Sequence, residues 1–140
     1  MVDPEVDVLD EATFRDIAFL EEKINEYNFT TTGFRDGRLL VILLRDPDGG
    51  IYAGLSGHTW GGTCEVKFIW VNEQRRHTGI GSQLLRAAEE EARLRSCQKV
   101  VLSTHSFQAP DFYRKMGYAV AGEFSDYPHG HSQIFLEKLL

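Results

Sequence analysis

Apolar positions along this chain change period several times, and each change marks an element. Over residues 11–28, Phe14, Ile17, Ala18, Leu20, Ile24 and Tyr27 keep an i, i+3, i+4 rhythm, which predicts a helix capped by Asp10 or Thr13. Residues 39–44 form an unbroken apolar run with β-branched members, the pattern of a buried strand. The turn sequence Asp46-Pro47-Asp48-Gly49-Gly50 follows, then a hairpin partner over 51–60, a Gly61-Gly62 turn and a third strand over 65–71. From Gly79 to about Ser96 the period returns to that of a helix. Leu84, Leu85, Ala88 and Ala92 make its apolar stripe, and Gln83, Arg86, Glu90 and Arg93 its polar one. A short strand at 99–104, a helix opened by Pro110 and closed by Gly117, and strands at 118–124 and 132–138 around the loop 127–131 complete the chain. Strands alternating with helices in this order predict one α/β domain over 1–140, a mixed sheet with helices on both sides.

The junction between the third strand and the second helix carries the strongest chemical signal. Gly79 and Gly81 sit where the helix begins. Without Cβ atoms the backbone there can approach a ligand closely. The first N–H groups of a helix lack internal partners, and the dipole places partial positive charge beside them. This combination suits a phosphorylated cofactor. Two common phosphate-binding patterns do not fit. The dinucleotide fingerprint needs a third glycine where Leu84 stands, and no G-x-x-x-x-G-K-[ST] loop exists. What remains is R-x-x-G-x-G, Arg76 to Gly81.

That loop resembles the acyl-CoA pyrophosphate loop of the GNAT superfamily of N-acetyltransferases. About thirty residues later, Ala109-Pro110-Asp111-Phe112-Tyr113-Arg114-Lys115-Met116-Gly117-Tyr118 is similar to the family's late A-x-x-F-Y-x-K-x-G-[FY] segment. The resemblance covers about residues 35–140 and implies a largely antiparallel, twisted GNAT sheet. It also implies acetyl-CoA as co-substrate, and an acetyl group moved to a primary amine by direct attack in a ternary complex. By this resemblance His77, Thr78, Gly79, Ile80, Gly81 and Ser82 hold the pyrophosphate, with charge from Arg76 and Arg75. Ile69, Trp70 and Val71 run along the pantetheine arm and supply a backbone N–H that polarises the thioester carbonyl. Ala109 and Phe112 lie against the cofactor, as does Ser106, which stands where the family often has Asn. The family's acceptor pocket falls on residues 20–38 and 124–132, where Tyr27, Phe29, Phe34, Phe124 and Tyr127 are aromatic.

Tyr113 matches the family tyrosine that gives a proton to the departing thiolate. A phenol, neutral near pH 7, suits that role. For the base, Glu65 has the spacing of the catalytic glutamate in the histone acetyltransferase branch and shares simple strand parity with Lys67, Ile69 and Val71. An exposed strand residue paired with a neighbour is the competing reading. His105, His129 and His131 are alternatives, since imidazole titrates near neutrality.

Composition narrows the class further. The 140 residues carry a net charge of −6, unfavourable for binding nucleic acid or acidic membranes. No apolar run approaches the ~20 residues of a membrane span, and residues 1–10 lack a basic-then-apolar leader. Two isolated cysteines, Cys64 and Cys97, fit a reducing cytoplasm. His129-Gly130-His131 lacks further ligands at metal-site spacing, so no metal is expected. An open edge at the last strands makes a homodimer a candidate. The function expected is that of an N-acetyltransferase, the alternative being a non-catalytic acyl-CoA-binding or regulatory module.

Overall fold

The structure, a computed structural model, describes residues 4–140; the first three residues of the acidic start lie outside them. Two compact units divide the chain, residues 1–35 and 36–140. The first holds helix α1, Phe14–Thr32. Of the two predicted caps, Thr13 is used: its hydroxyl accepts the Asp16 N–H at 3.2 Å. Gly33 ends the helix at φ 77°, its N–H donating to the Phe29 carbonyl. That left-handed end is open to glycine without steric cost.

The second unit is a six-stranded sheet: β1 (Arg38–Arg45), β2 (Ile51–Trp60), β3 (Thr63–Val71), β4 (Lys99–His105), β5 (Ala119–Ser125) and β6 (Ser132–Leu139). Its order is β1-β2-β3-β4-β6-β5, antiparallel except for the parallel pair β3–β4. Helix α2, Ile80–Leu94, is the crossover that a parallel pair requires, and helix α3, Pro110–Lys115, joins β4 to β5. The predicted stripe of α2 is the buried one. Leu84, Leu85, Ala88 and Ala92 pack in one cluster with Leu40, Ala53, Leu55, Cys64, Val66, Val100, Leu102, Ile134 and Leu136. Truncating a Leu buried to this degree costs about 2–5 kcal/mol.

One break in the regular pairing shapes everything downstream. Gly57 pairs with Val66 and Ser56 with Phe68, so Lys67 is an extra residue bulged out of β3. A Cβ on Gly57 would lie 2.2 Å from the Glu65 carbonyl oxygen and 3.1 Å from the Val66 Cα. Only glycine allows β3 to come this close. The bulge also reverses the facing of side chains beyond it. Cys64 and Val66 point into the core before it, and Ile69 and Val71 pack on the core after it.

Among the described residues, the core encloses one charged side chain. Glu89 of α2 is 3% exposed. It accepts the Tyr118 hydroxyl at 2.7 Å and the Lys138 ammonium at 3.1 and 3.2 Å. The same Lys138 Nζ donates to the Met116 carbonyl at 2.9 Å. A buried carboxylate is tolerated only with such partners. This one ties α2, the end of α3 and β6 together.

Candidate active site

β3 and β4 pair only from Thr63–Lys99 to Val66–Leu102. Beyond that the strands part, and a cleft of about 990 Å³ opens, lined by both, by the loop into α2 and by α3. The Lys67 bulge sits at the point of divergence.

The orientation of the free β3 edge follows from two bonds. The Asn72 N–H donates to the Tyr52 carbonyl of β2 at 2.8 Å, whereas the Val71 carbonyl accepts Nε of Arg76 at 3.0 Å. Peptide groups alternate sides along a strand. Ile69 and Val71 therefore turn their main-chain groups toward the gap, while Trp70, opposite Gly54, turns its own toward β2. All three residues line the cleft.

At the loop, a 3₁₀ turn over Glu73–Arg75 leads through His77 (φ 63°) and Gly79 (φ 85°) into α2. The Thr78 hydroxyl locks the turn by donating to the Arg75 carbonyl at 2.6 Å, and Thr78 itself is not among the residues lining the cleft. Among the described residues, none of the backbone N–H groups from His77 to Ser82 donates to a protein acceptor. A row of unspent donors at a helix N-terminus is a cradle for an anion. The two glycines serve it differently. Gly79 needs its left-handed backbone, whereas a Cβ on Gly81 would meet Phe112 at an ordinary 3.5 Å. Gly81 is thus not demanded by the protein's own packing, and its bareness leaves room for a ligand. Arg75 and Arg76 both line the cleft. Arg75 is paired with Asp46 and lies over the Tyr52 ring at 4.0 Å, while Arg76 is anchored through Nε with its terminal nitrogens unspent. These residues fit a pyrophosphate-bearing co-substrate.

Ala109, Phe112 and Tyr113 line the same cleft from the start of α3. Tyr113 is buried, with its ring edge-on to Phe112 at 5.0 Å and to Tyr118 at 6.0 Å. Its hydroxyl bonds to no protein group, yet no buried side-chain polar atom is left unpartnered among the described residues, so the hydroxyl opens into the cleft. Burial pushes its pKa up, which keeps the phenol protonated.

Like Thr78, two more residues expected at the site lie outside the cleft lining. Glu65 does not share a face with Ile69 and Val71, because the Lys67 bulge shifts the alternation between them. Glu65 lies outside the cleft lining, and its carboxylate faces His58 Nε2 at 3.6 Å. Ser106 also lies outside that lining. Its hydroxyl accepts the Ser132 N–H at 3.0 Å and its own N–H donates to the Ser132 carbonyl at 2.8 Å. It joins β4 to the start of β6.

Sequence reasoning missed Ser103, Thr104, Phe107 and Gln108, all of which line the cleft. Gln108 Oε1 accepts the His105 N–H at 2.7 Å and the Thr104 hydroxyl at 3.3 Å, shaping the turn from β4 into α3. No spacing rule flags them; only their place before the A-x-x-F-Y segment does. Of the histidines, His129 is 99% exposed and bonded to Asp126, whereas His105 and His131 flank Phe107. The described residues hold no cluster of three metal-ligating side chains and no helix long and apolar enough to cross a membrane.

Comparison with known proteins places this geometry in a family. The acetyltransferase (GNAT) domain model matches residues 35–120. An acetyltransferase from Agrobacterium fabrum is 34% identical over 119 residues, 85% of this chain and 87% of its own length. The blasticidin-S acetyltransferase of Streptomyces morookaense is 38% identical over 93 residues, 66% of this chain and 68% of its own length. The crystal structure of a proposed acetyltransferase from Agrobacterium tumefaciens superposes with a TM-score of 0.89 at 31% identity, covering 98% of this chain and all of the other.

Proposed function

The chain belongs to the GNAT acetyltransferase family, and from that premise we propose that it transfers an acetyl group from acetyl-CoA to a primary amine of a small molecule or protein, by direct attack in a ternary complex. The observation that carries this reading is one cleft holding an unspent row of N–H donors at 77–82, a free strand edge at Ile69 and Val71, and the open hydroxyl of Tyr113. The donors from His77 to Ser82, with Arg76, would hold the pyrophosphate. The free edge would pair with the amide-bearing arm, and an N–H from Ile69 or Val71 would meet the negative charge that develops on the thioester oxygen. Tyr113 would give its proton to the sulfur as the C–S bond breaks, the rest of its ring being fixed by Phe112 and Tyr118. The blasticidin-S acetyltransferase among its relatives makes a small amine-bearing molecule the first acceptor class to screen.

The test separates holding from chemistry. Calorimetry should show acetyl-CoA binding that Gly81→Asp abolishes. Tyr113→Phe should keep that affinity within about twofold while lowering turnover about 10²–10⁴-fold, the range of one general acid. Wild-type protein that ignores acetyl-CoA would sink the proposal, and unchanged turnover in Tyr113→Phe would remove the acid role alone.

A further inference from the structure

Helix α3 carries Tyr113 into the cleft but cannot set its own direction. It has six residues and no side chain caps its start, and a helix this short is held by its surroundings. At its start the Ala109 N–H reaches the Thr104 hydroxyl of β4 at a long 3.4 Å. The far end is bound more closely. The Lys138 ammonium donates to the Met116 carbonyl at 2.9 Å, where a cation also meets the negative end of the helix dipole. The Tyr113 carbonyl accepts the N–H groups of Met116 at 3.1 Å and Tyr118 at 3.0 Å. The buried Tyr118 ring stands edge-on to the Tyr113 ring. Tyr113 is thus held both through its main chain and through its ring.

Both holds lead to Glu89. Its carboxylate accepts the Tyr118 hydroxyl and the Lys138 ammonium, and that ammonium also lies over the Tyr118 ring at 5.7 Å. The Lys138 stem runs past Gly117, where a Cβ would meet its Cε at 3.4 Å. Glu89 stands on α2 seven residues after Ser82, about 10 Å along the same helix. One rigid helix therefore carries the anion cradle at its start and, through Glu89, holds the end of α3. Glu89, Tyr118 and Lys138 are absent from the cleft lining. Stability alone does not call for ions here, because a buried ion pair is often replaceable by apolar side chains of similar volume. Apolar side chains would not supply direction, whereas hydrogen bonds to a carboxylate fix how α2, α3 and β6 sit on one another.

We propose that the Glu89–Tyr118–Lys138 network is a positioning device for the reaction: it fixes the distance from the anion cradle of α2 to the Tyr113 hydroxyl. A co-substrate held at the cradle then presents its sulfur where the phenol stands. This rests on the acetyl-transfer reading above. The three residues meet no reacting atom and act through α3. An arm paired to the β3 edge reaches a set point in the cleft, so the ligand does not absorb a shift of α3. A misplacement of about 1 Å can cost about a hundredfold in rate while binding at the cradle stays as it was.

Turnover and geometry are read separately, both in the full chain. Glu89→Leu with Lys138→Met replaces the ions by apolar side chains and should unfold at a urea midpoint near that of the wild type. With the first amine acetylated in a panel opened by blasticidin S, kcat of this double variant should fall about 10–100-fold. Its acetyl-CoA affinity by calorimetry should stay within about twofold. Adding both substitutions to Tyr113→Phe should lower kcat no further, because the network acts through Tyr113; losses that add overturn the proposal. ¹⁹F spectra of 3-fluorotyrosine-labelled protein need no acceptor. With acetyl-CoA bound, the Tyr113 line, assigned by its loss in Tyr113→Phe, should be single and sharp in the wild type and broadened or split in the double variant. Tyr118→Phe removes one hydroxyl and keeps the ring, which covers a double variant that fails to fold. It should lower kcat about threefold, a partial misplacement, and broaden the same line. Full kcat, or a sharp and unmoved Tyr113 line, in a folded variant sinks the positioning role and leaves acetyl transfer standing. A wild type that binds no acetyl-CoA sinks both.

Discussion

From Thr63 to Val66, β3 is bonded to β4 and its inward side chains are buried; from Lys67 onward the same two strands diverge and line a cleft. In the closed half, backbone groups are spent on the ladder and the core side chains Cys64, Val66, Val100 and Leu102 are at most 5% exposed. In the open half, the N–H groups of Ile69 and Val71 and the loop donors to Ser82 are held in place but left unspent among the described residues, while the Val71 carbonyl holds Arg76. A backbone with unspent groups thus extends directly from a fully paired one, and the Lys67 bulge marks the border. Damage to the closed half should cost stability and leave the binding chemistry intact in whatever folds. Damage to the open half should do the reverse.

The sharpest break lies at the border. Gly57→Val places side-chain atoms where the Glu65 carbonyl and the Val66 backbone already sit, and backbone cannot move aside cheaply. A loss of about 3 kcal/mol or more in urea unfolding is expected, the upper range of overpacking costs. A variant of wild-type stability would mean that the bulge is not held by this contact.

Next comes the buried charge that ties α2 to the end of α3. Glu89→Leu strands the Lys138 ammonium, which among the described residues then keeps the Met116 carbonyl as its one hydrogen-bond partner, and should cost about 3–5 kcal/mol. Adding Lys138→Met removes the orphan charge, and the double variant should recover most of that loss. If the two losses simply add, the pair is not coupled and α3 is held by its apolar contacts.

These border and core features show what the chain's local pattern does and does not encode. The α2 stripe, the 51–60 hairpin strand and the G-x-G entry were legible, because period, turn chemistry and glycine placement are local properties. The bulge was not, since residues 65–71 contain no glycine or proline and simple alternation runs through Lys67; its signal lay across the ladder, at Gly57. For the same reason Glu65 read as facing with Ile69, and the structure separates them. His105 with Tyr127, and Glu89 with Lys138, lie 22 and 49 residues apart, and only the folded sheet brings such pairs together. The 77–82 segment was legible because its glycines and helix entry are local, and Tyr113 because it sits in a short segment that resembles the family's; both line or border the cleft.

In the open half, the two glycines give a finer cut. Gly81→Ala adds a methyl that the protein tolerates at 3.5 Å from Phe112, so its melting temperature should stay within a few degrees. If the bare backbone exists for ligand approach, acetyl-CoA affinity should still fall about tenfold by calorimetry. Gly79→Ala should differ, losing about 1–2 kcal/mol of stability from the forced left-handed backbone in addition to any loss of affinity. Equal effects at both positions would erase the distinction between a glycine kept for the chain and one kept for its ligand.

The smallest effect tests how tightly the closed half is shut. Burial, then the neighbouring Cys97, pushes the Cys64 thiol up to about 11. The folded pKa lies above the ordinary value of 9.0, so the native state favours the neutral thiol. The sign of the linkage follows: this contribution to stability is complete below about pH 9 and is lost as pH rises toward 11, where the unfolded thiol ionises first. Tyr118, raised by burial and by its bond to Glu89, acts with the same sign at higher pH. At pH 8 the Cys64 thiolate should be about a hundredfold scarcer than in an unfolded chain, because two units separate the pKa values. Iodoacetamide should therefore leave Cys64 unmodified in native protein and label it once urea opens the sheet. Saturating the cleft with acetyl-CoA should slow that labelling only as far as it slows global unfolding. Rapid labelling of native protein at pH 8 would show that the β3–β4 pair opens along its whole length, and the division between a shut half and a receptive half would fall.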